Sequence, residues 1–278
     1  MLYDISNHNK ARESLSKFTN VTLEDIENFI KEIIEVKGDS ASEDVNFEYW
    51  TEVFLEEFDI NIKDLILTDL EIKAIHVTTS NKENIKYIKQ NGLINLQDIL
   101  KGQNNITKFL KDEGIIIDVL NKKVYYKNKT FEITNEWYND DELYRRIYED
   151  CMVCGFNFSK KPLEYSNVAY TPEFFVNLAD LIDSHLLEKN WRYINNKIYI
   201  VEYKIDVKNL YYETFVNRDV TKNEFYKLKE CYIKKWLVLK SLKVGSKSEE
   251  NNIVSFATLN YNVPPTDILN IKYVNKTS

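Results

Sequence analysis

The stretch AIHVTTSNKENIKYIKQNGLINLQDI, Ala74 to Ile99, decides how the chain is read. Ile72, Ala74, His76 and Thr78 alternate with Lys73, Ile75 and Val77, which is the period of a strand. Ser80 is placed to cap a helix over Lys82–Gln90, and Asn91-Gly92 closes that helix in left-handed geometry. One of only three histidines therefore stands at the end of a strand, just ahead of a helix. A lone histidine there is either a satisfied structural residue or one that faces a ligand, and its surroundings must separate the two.

Upstream, residues 1–70 read as helical. Thr22 and Asp25 form a capping-box pattern, behind which Leu23, Ile26, Ile30 and Ile33 recur at helical spacing. A second helix covers Phe47 to Phe58, with Trp50, Phe54 and Phe58 on one face. Downstream the texture is mixed. A short helix near Ile106–Glu113 ends at Gly114, Val124–Ile133 reads as a hairpin turning at Asn128, and a charged helix covers Asp140–Asp150. Val168–Tyr170 reads as a short strand, after which Thr171 as N-cap and Pro172 at the first turn open a helix. Lys197–Val207 is the clearest strand; Lys222–Ser241 reads as helix, and Asn252–Tyr261 and Ile271–Val274 as closing strands. Strands and helices do not alternate as a doubly wound parallel sheet requires. The fold class expected is α+β: a helical N-terminal part over 1–70, then a mixed, mainly antiparallel domain over 71–278.

The 278 residues are 44% hydrophobic and 29% charged, ordinary material for a globular core. No run of about 18 apolar residues occurs, so no membrane partner is expected. The N-terminus lacks a signal pattern, and three cysteines suit a reducing compartment, so a cytoplasmic location is expected. The net charge of −7 hides a split: residues 1–70 hold 6 basic and 17 acidic side chains, and the remainder is net positive. Residues 221–247 hold eight lysines and two glutamates. That run is either a solvated helix face or a phosphate-binding patch, with Lys227, Lys234, Lys235 and Trp236 as the nucleic-acid-binding candidates. The acidic helices of 1–70 are placed by charge to pack over that basic surface or to dock a partner.

Cys151-Met152-Val153-Cys154 is a CxxC, but it follows a helix rather than opening one, and few further ligands remain. Buried apolar cysteines are the better reading, and no metal is expected. There is no G-x-S-x-G, Walker loop, G-x-G-x-x-G or HExxH, and six glycines leave little for a phosphate cradle.

His76 remains. HVTTS, a helix, then NGLINLQDIL resembles the first motif block of the ADP-ribosyltransferase superfamily, a strand ending in His-x-Thr followed by a helix and a Gly-Leu. NVAYTPEFFVNLADLI (Asn167–Ile182) resembles the second, a tyrosine on a strand followed by a helix. NNIVSFATLNYNVPPTDILNI (Asn251–Ile271) resembles the third, a strand followed by a Val-Pro-Pro turn. The resemblance implies a split-sheet ADP-ribosyltransferase-like domain that takes NAD as substrate and moves ADP-ribose to a macromolecular acceptor, RNA, DNA or protein, with nucleic acid favoured by the lysine run. It implies a toxin or phage-defence effector, with an antitoxin as a possible partner. By the same resemblance His76 donates a hydrogen bond to the adenosine ribose, the Val77 backbone grips the nicotinamide amide, Thr78 steadies the pocket and Tyr170 stacks on the nicotinamide. The family's catalytic glutamate has no counterpart at the matching position, which is Phe256 here. Glu250 is the nearest candidate for that role, with Glu173 and Glu202 as alternatives. Without a carboxylate, the chain reads as an inactive NAD- or nucleotide-binding module of that fold; without the His76 pocket, as a nucleic-acid-binding protein using 221–247.

Overall fold

The computed structural model describes residues 1–39, 46–135, 141–167, 169–216, 219–249 and 251–275. In chain order the first elements are β1 (Leu2–Tyr3), α1 (His8–Thr19), α2 (Leu23–Asp39), α3 (Phe47–Glu57), β2 (Glu71–Ser80), α4 (Lys82–Asn91), α5 (Leu96–Lys101) and α6 (Asn105–Asp112). Then come β3 (Ile115–Asp118), β4 (Lys123–Tyr126), β5 (Lys129–Glu132), α7 (Asp141–Tyr144) and β6 (Cys154–Phe158). The chain continues with α8 (Glu173–Leu181), α9 (Leu186–Ile194), β7 (Lys197–Asp206), α10 (Lys222–Lys227), α11 (Lys229–Gly245), β8 (Ile253–Phe256) and β9 (Ile268–Val274). The protein is mixed α+β, its hairpin and β7–β9 pairings are antiparallel, and among the described residues no helix is long and apolar enough to cross a membrane.

The chain forms two compact units. The first does not end at residue 70: it takes Met1–Ala74 and adds Phe156–Lys160 and Lys204–Phe256. Its centre is α11, which runs on because neither glycine nor proline occurs between Lys229 and Val244. The side chains of α1 grip the end of α11: Arg12 donates through Nε and Nη2 to the Gly245 carbonyl, and His8 Nδ1 donates to the Val244 carbonyl at 2.6 Å. The Arg12 bonds supply the Gly245 carbonyl at the helix end, and the Val244 carbonyl accepts from the Lys247 amide as well as from His8. Buried Tyr3 bonds the Leu237 carbonyl and Ser241 of the same helix. Phe29 meets Trp50, Phe54 and Phe58 edge to face, Phe54 and Phe58 meet at a tilt, and together they close the α2–α3 side.

The second unit comprises Ile75–Gly155, Lys161–Tyr203 and Ala257–Ser278. Here β9 runs antiparallel to β7, Ile198 opposite Val274, with a bulge at Glu202/Tyr203. β3, β4 and β5 form a separate meander, and the β4–β5 turn holds Lys127 and Asn128 at positive φ, as a two-residue hairpin requires. Phe109, Phe175 and Trp191 anchor its core.

Several local expectations are corrected. Asn81, not Ser80, caps α4 by accepting from the Asn84 amide, and Ser80 completes β2. Val168 lies outside the described residues, and Ala169-Tyr170 form a turn rather than a strand. Thr171 does not cap α8; its hydroxyl instead accepts from Arg192 Nε at 2.6 Å. The helix expected over Asp140–Asp150 is one α-helical turn that widens into a π-helix over Arg145–Glu149. The helix expected over Lys222–Ser241 breaks at Leu228, and the strand expected over Asn252–Tyr261 stops at Phe256.

Gly92 holds φ +82°, and a Cβ there would sit 1.8 Å from the Val263 carbonyl oxygen. Both a strained backbone and a clash with main chain meet any side chain at this position. Gly92→Ala is expected to destabilise the fold by roughly 2–4 kcal/mol, read as a lower midpoint in denaturant unfolding; a midpoint equal to the parent's would show that the Leu93–Val263 contact is dispensable.

Candidate functional site

The alternation of β2 puts His76 and Thr78 on one face and sends Val77 into the core on the other. His76 Nδ1 lies 3.0 Å from the Cys154 carbonyl oxygen on β6. A carbonyl only accepts, so Nδ1 carries the proton and the neutral ring keeps its lone pair on Nε2. Burial lowers the His76 pKa below the ordinary histidine value, with the Cys154 bond acting the other way. The ring is thus neutral at pH 7 and its remaining nitrogen is an acceptor. In this tautomer Nε2 can only accept, whereas the resemblance implies a donor at this position.

His76 and Thr78 line a cavity of about 140 Å³, closed by Tyr87, Leu93, Pro172 and Trp191. This is room for one ring-sized group, below the range of roughly 300–1,000 Å³ that holds a whole drug-sized ligand. Its walls are held by pairs that link distant segments. Trp191 Nε1 donates to Thr79 Oγ1 at 3.1 Å, and Asn84 Nδ2 donates to Asn195 Oδ1 at 2.9 Å. Leu93 exchanges both backbone bonds with Val263, at 3.0 and 2.9 Å. The Gly92-Leu93 end of the first quoted block and the Val263-Pro264-Pro265 turn of the third are thereby brought side by side. Val77, by contrast, is not among the residues that line this cavity.

Tyr170 is half-exposed and opens onto a different cavity, of about 620 Å³, with Arg146, Thr171, Glu173 and Arg192. The structure does not bring it into the His76 cavity, because the segment before α8 turns instead of pairing as a strand. Arg146 of the π-helix pairs with Asp150 and with Glu173, the latter at 2.5 Å, and Arg192 pairs with Glu188 at 2.9 Å. Glu250 lies outside the described residues. Glu202 is held by Lys272. Among the described residues no carboxylate lines the His76 cavity.

The lysine run does not form one exposed face. Lys234 is 3% and Trp236 7% exposed, and Lys234 Nζ donates to the Lys63 carbonyl at 3.1 Å. Lys235 pairs with Glu52 at 2.6 Å, and Lys227 is exposed on α10. The nucleic-acid surface expected from these four residues is therefore reduced to Lys227 and Lys235, because α11 is buried through most of its circumference.

The CxxC pair consists of free thiols, Cys154 pushed up to about 11 by burial and Cys151 raised by the same cause. Both stay protonated at neutral pH. Among the described residues no cluster of His, Cys, Asp and Glu is placed to hold a metal.

Trp191, Asn84 and the Arg146–Glu173 pair escaped the reading of the sequence. Trp191 sits at helical spacing among core residues and carries no local signal of a cavity wall. Comparison of the chain with family models, characterised proteins and solved structures finds no match.

A depressed His76 pKa makes stability depend on pH. Below the unfolded value near 6.5 the unfolded chain takes up a proton that the folded ring refuses, so stability falls as pH drops below that value. It is fully present above it. His76→Asn is expected to remove this share of the slope between pH 6.5 and 5, at most about 1.4 kcal/mol per pH unit, measured by denaturant unfolding across that range. An unchanged slope would mean that the ring titrates alike in both states.

Proposed function

We propose that this chain is a mono-ADP-ribosyltransferase acting on NAD. The observation that carries the reading is the meeting of two sequence blocks at one cavity: the Leu93–Val263 bridge joins the Gly-Leu of the first to the Val-Pro-Pro of the third, beside His76. A cavity of this size takes one ribose or nicotinamide group of NAD, with a ribose hydroxyl donating to His76 Nε2 and Thr78 offering a hydroxyl to the same group. The Val77 backbone runs along the same strand. Tyr170 and Thr171 line the larger cavity and Pro172 the smaller, so the remainder of the dinucleotide extends over this short segment, with Tyr170 as its stacking surface.

The reaction breaks the bond between nicotinamide nitrogen and ribose C1′. Nicotinamide leaves with the bonding electrons, and the cation-like C1′ is captured by a nucleophile of the acceptor. The protein's share is to orient NAD and to stabilise the developing positive charge with a carboxylate. Glu250 and Glu173 are both candidates from the sequence, and Glu173 lines the larger cavity beside Tyr170. The acceptor is a macromolecule, nucleic acid or protein, and a toxin or phage-defence effector working inside a cell is the setting that suits such a transfer. A second reading, a non-catalytic nucleotide-binding module, is favoured by the lack of a carboxylate among the described residues of the His76 cavity.

The test is incubation of the purified protein with labelled NAD, alone and with RNA, DNA and bacterial lysate. Label on one fraction together with nicotinamide release is expected, and His76→Ala should slow both about a hundredfold or more. Glu173→Gln and Glu250→Gln then locate the carboxylate. A thermal shift by NAD without nicotinamide release selects the binding module; neither shift nor release overturns the NAD reading.

A further inference from the structure

The first compact unit contains a cavity of its own, about 400 Å³ in volume and within the range of small-molecule sites. One wall is a face of α11 that carries Lys235, Lys240 and Lys243. Phe215, Tyr232 and Trp236 supply an aromatic wall, and β8 adds Ile253 and Val254. The lining also includes Glu48, Glu52 and Glu213, so the formal charges cancel. Their depths do not. The three glutamates are exposed at the rim, whereas the three lysines are half-buried, with Lys240 only 25% exposed. Rim carboxylates are screened by water and contribute little, while an ammonium withdrawn from water demands an anion.

Lys240 is poorly provided for. Its Nζ is 4.0 Å from Glu249, the limit of ion pairing, and Glu249 also accepts from the Asn251 amide. Burial holds the Lys240 ammonium below the usual lysine range, with Glu249 and Glu48 acting against the shift and Lys243 adding to it. Lys243 Nζ lies over the Phe47 ring at 5.5 Å, and Lys235 is engaged by Glu52, a 55% exposed side chain that is easily displaced.

We propose that this cavity is a binding site for a nucleoside monophosphate: a phosphate monoester head among Lys235, Lys240 and Lys243, and a flat ring against the aromatic wall of Tyr232 and Trp236. A doubly charged head with three acceptor oxygens offsets more of the charge of three ammoniums than a singly charged carboxylate does. The ring supplies the apolar contact that the aromatic wall leaves open. This site is separate from the His76 cavity and does not rest on NAD chemistry.

The experiment is calorimetric titration of the whole chain with 5′-GMP, which is not a component of NAD, beside guanosine and inorganic phosphate. Binding of 5′-GMP is expected at least about tenfold tighter than either fragment. Lys240→Met keeps the buried stem and should weaken it about tenfold or more. Lys227→Met, on exposed α10, and His76→Ala should leave it unchanged. Should Lys240→Met not fold, Lys235→Met with Lys243→Met serves in its place. No 5′-GMP binding by the parent chain, equal binding by the lysine variants, or loss of binding in His76→Ala would each overturn the proposal. Tighter binding of an RNA strand without a terminal phosphate would overturn it in favour of a polymer groove.

Discussion

At Gly155 in β6 there is no space for a side chain. A Cβ would stand 2.5 Å from the Tyr203 hydroxyl and 2.9 Å from the Ile75 carbonyl oxygen. Only glycine lets the start of β6 lie this close to the β2 backbone and the Tyr203 ring, and the residue before it, Cys154, then presents its carbonyl to His76 Nδ1. The tautomer of His76 follows from that one contact. So does the character of the cavity it lines, which offers an acceptor where a charged imidazolium would offer a donor. Tyr203 is itself buried, and the crowding fixes strand spacing as firmly as any hydrogen bond.

Gly92 plays the matching part at the opposite wall. Its positive φ ends α4 and sends Leu93 into a two-bond pairing with Val263, a partner 170 positions away in the sequence. The cavity is therefore built from backbone contacts rather than from a cluster of charged groups. Its side chains are fixed by neutral pairs, Trp191 with Thr79 and Asn84 with Asn195. Such a site suits orientation of a sugar or amide more than proton transfer.

The charge split between the acidic first seventy residues and the lysine run resolves inside the first unit. Glu52 of α3 meets Lys235 of α11 directly, and Lys234 is turned away from solvent to bond a carbonyl. A basic run in sequence is thus distributed among a core contact, an ion pair and a cavity wall. What it does not form is a continuous stripe for a polymer. Helical packing chose this, since α11 is surrounded on most sides and can leave only a narrow face free.

The sequence by itself determined the local elements whose signals are short-range. The β2 alternation, the α4 stop at Gly92, the hairpin at Asn128 and the amphipathic helix behind Thr22 follow from period, capping and turn chemistry, which neighbouring residues settle among themselves. It also marked His76, because a lone histidine in an alternating strand is visible without coordinates, although β2 runs on past it to Ser80 rather than ending there. Tertiary structure alone decided what that ring does. The Cys154 carbonyl lies 78 positions away, and no local pattern tells which nitrogen it will claim. The turn at Ala169-Tyr170, the pairing of Arg192 with Thr171 and the burial of Lys234 and Trp236 were equally out of reach. Each depends on which distant segment wins a place beside the residue, and that competition is settled by packing rather than by propensity.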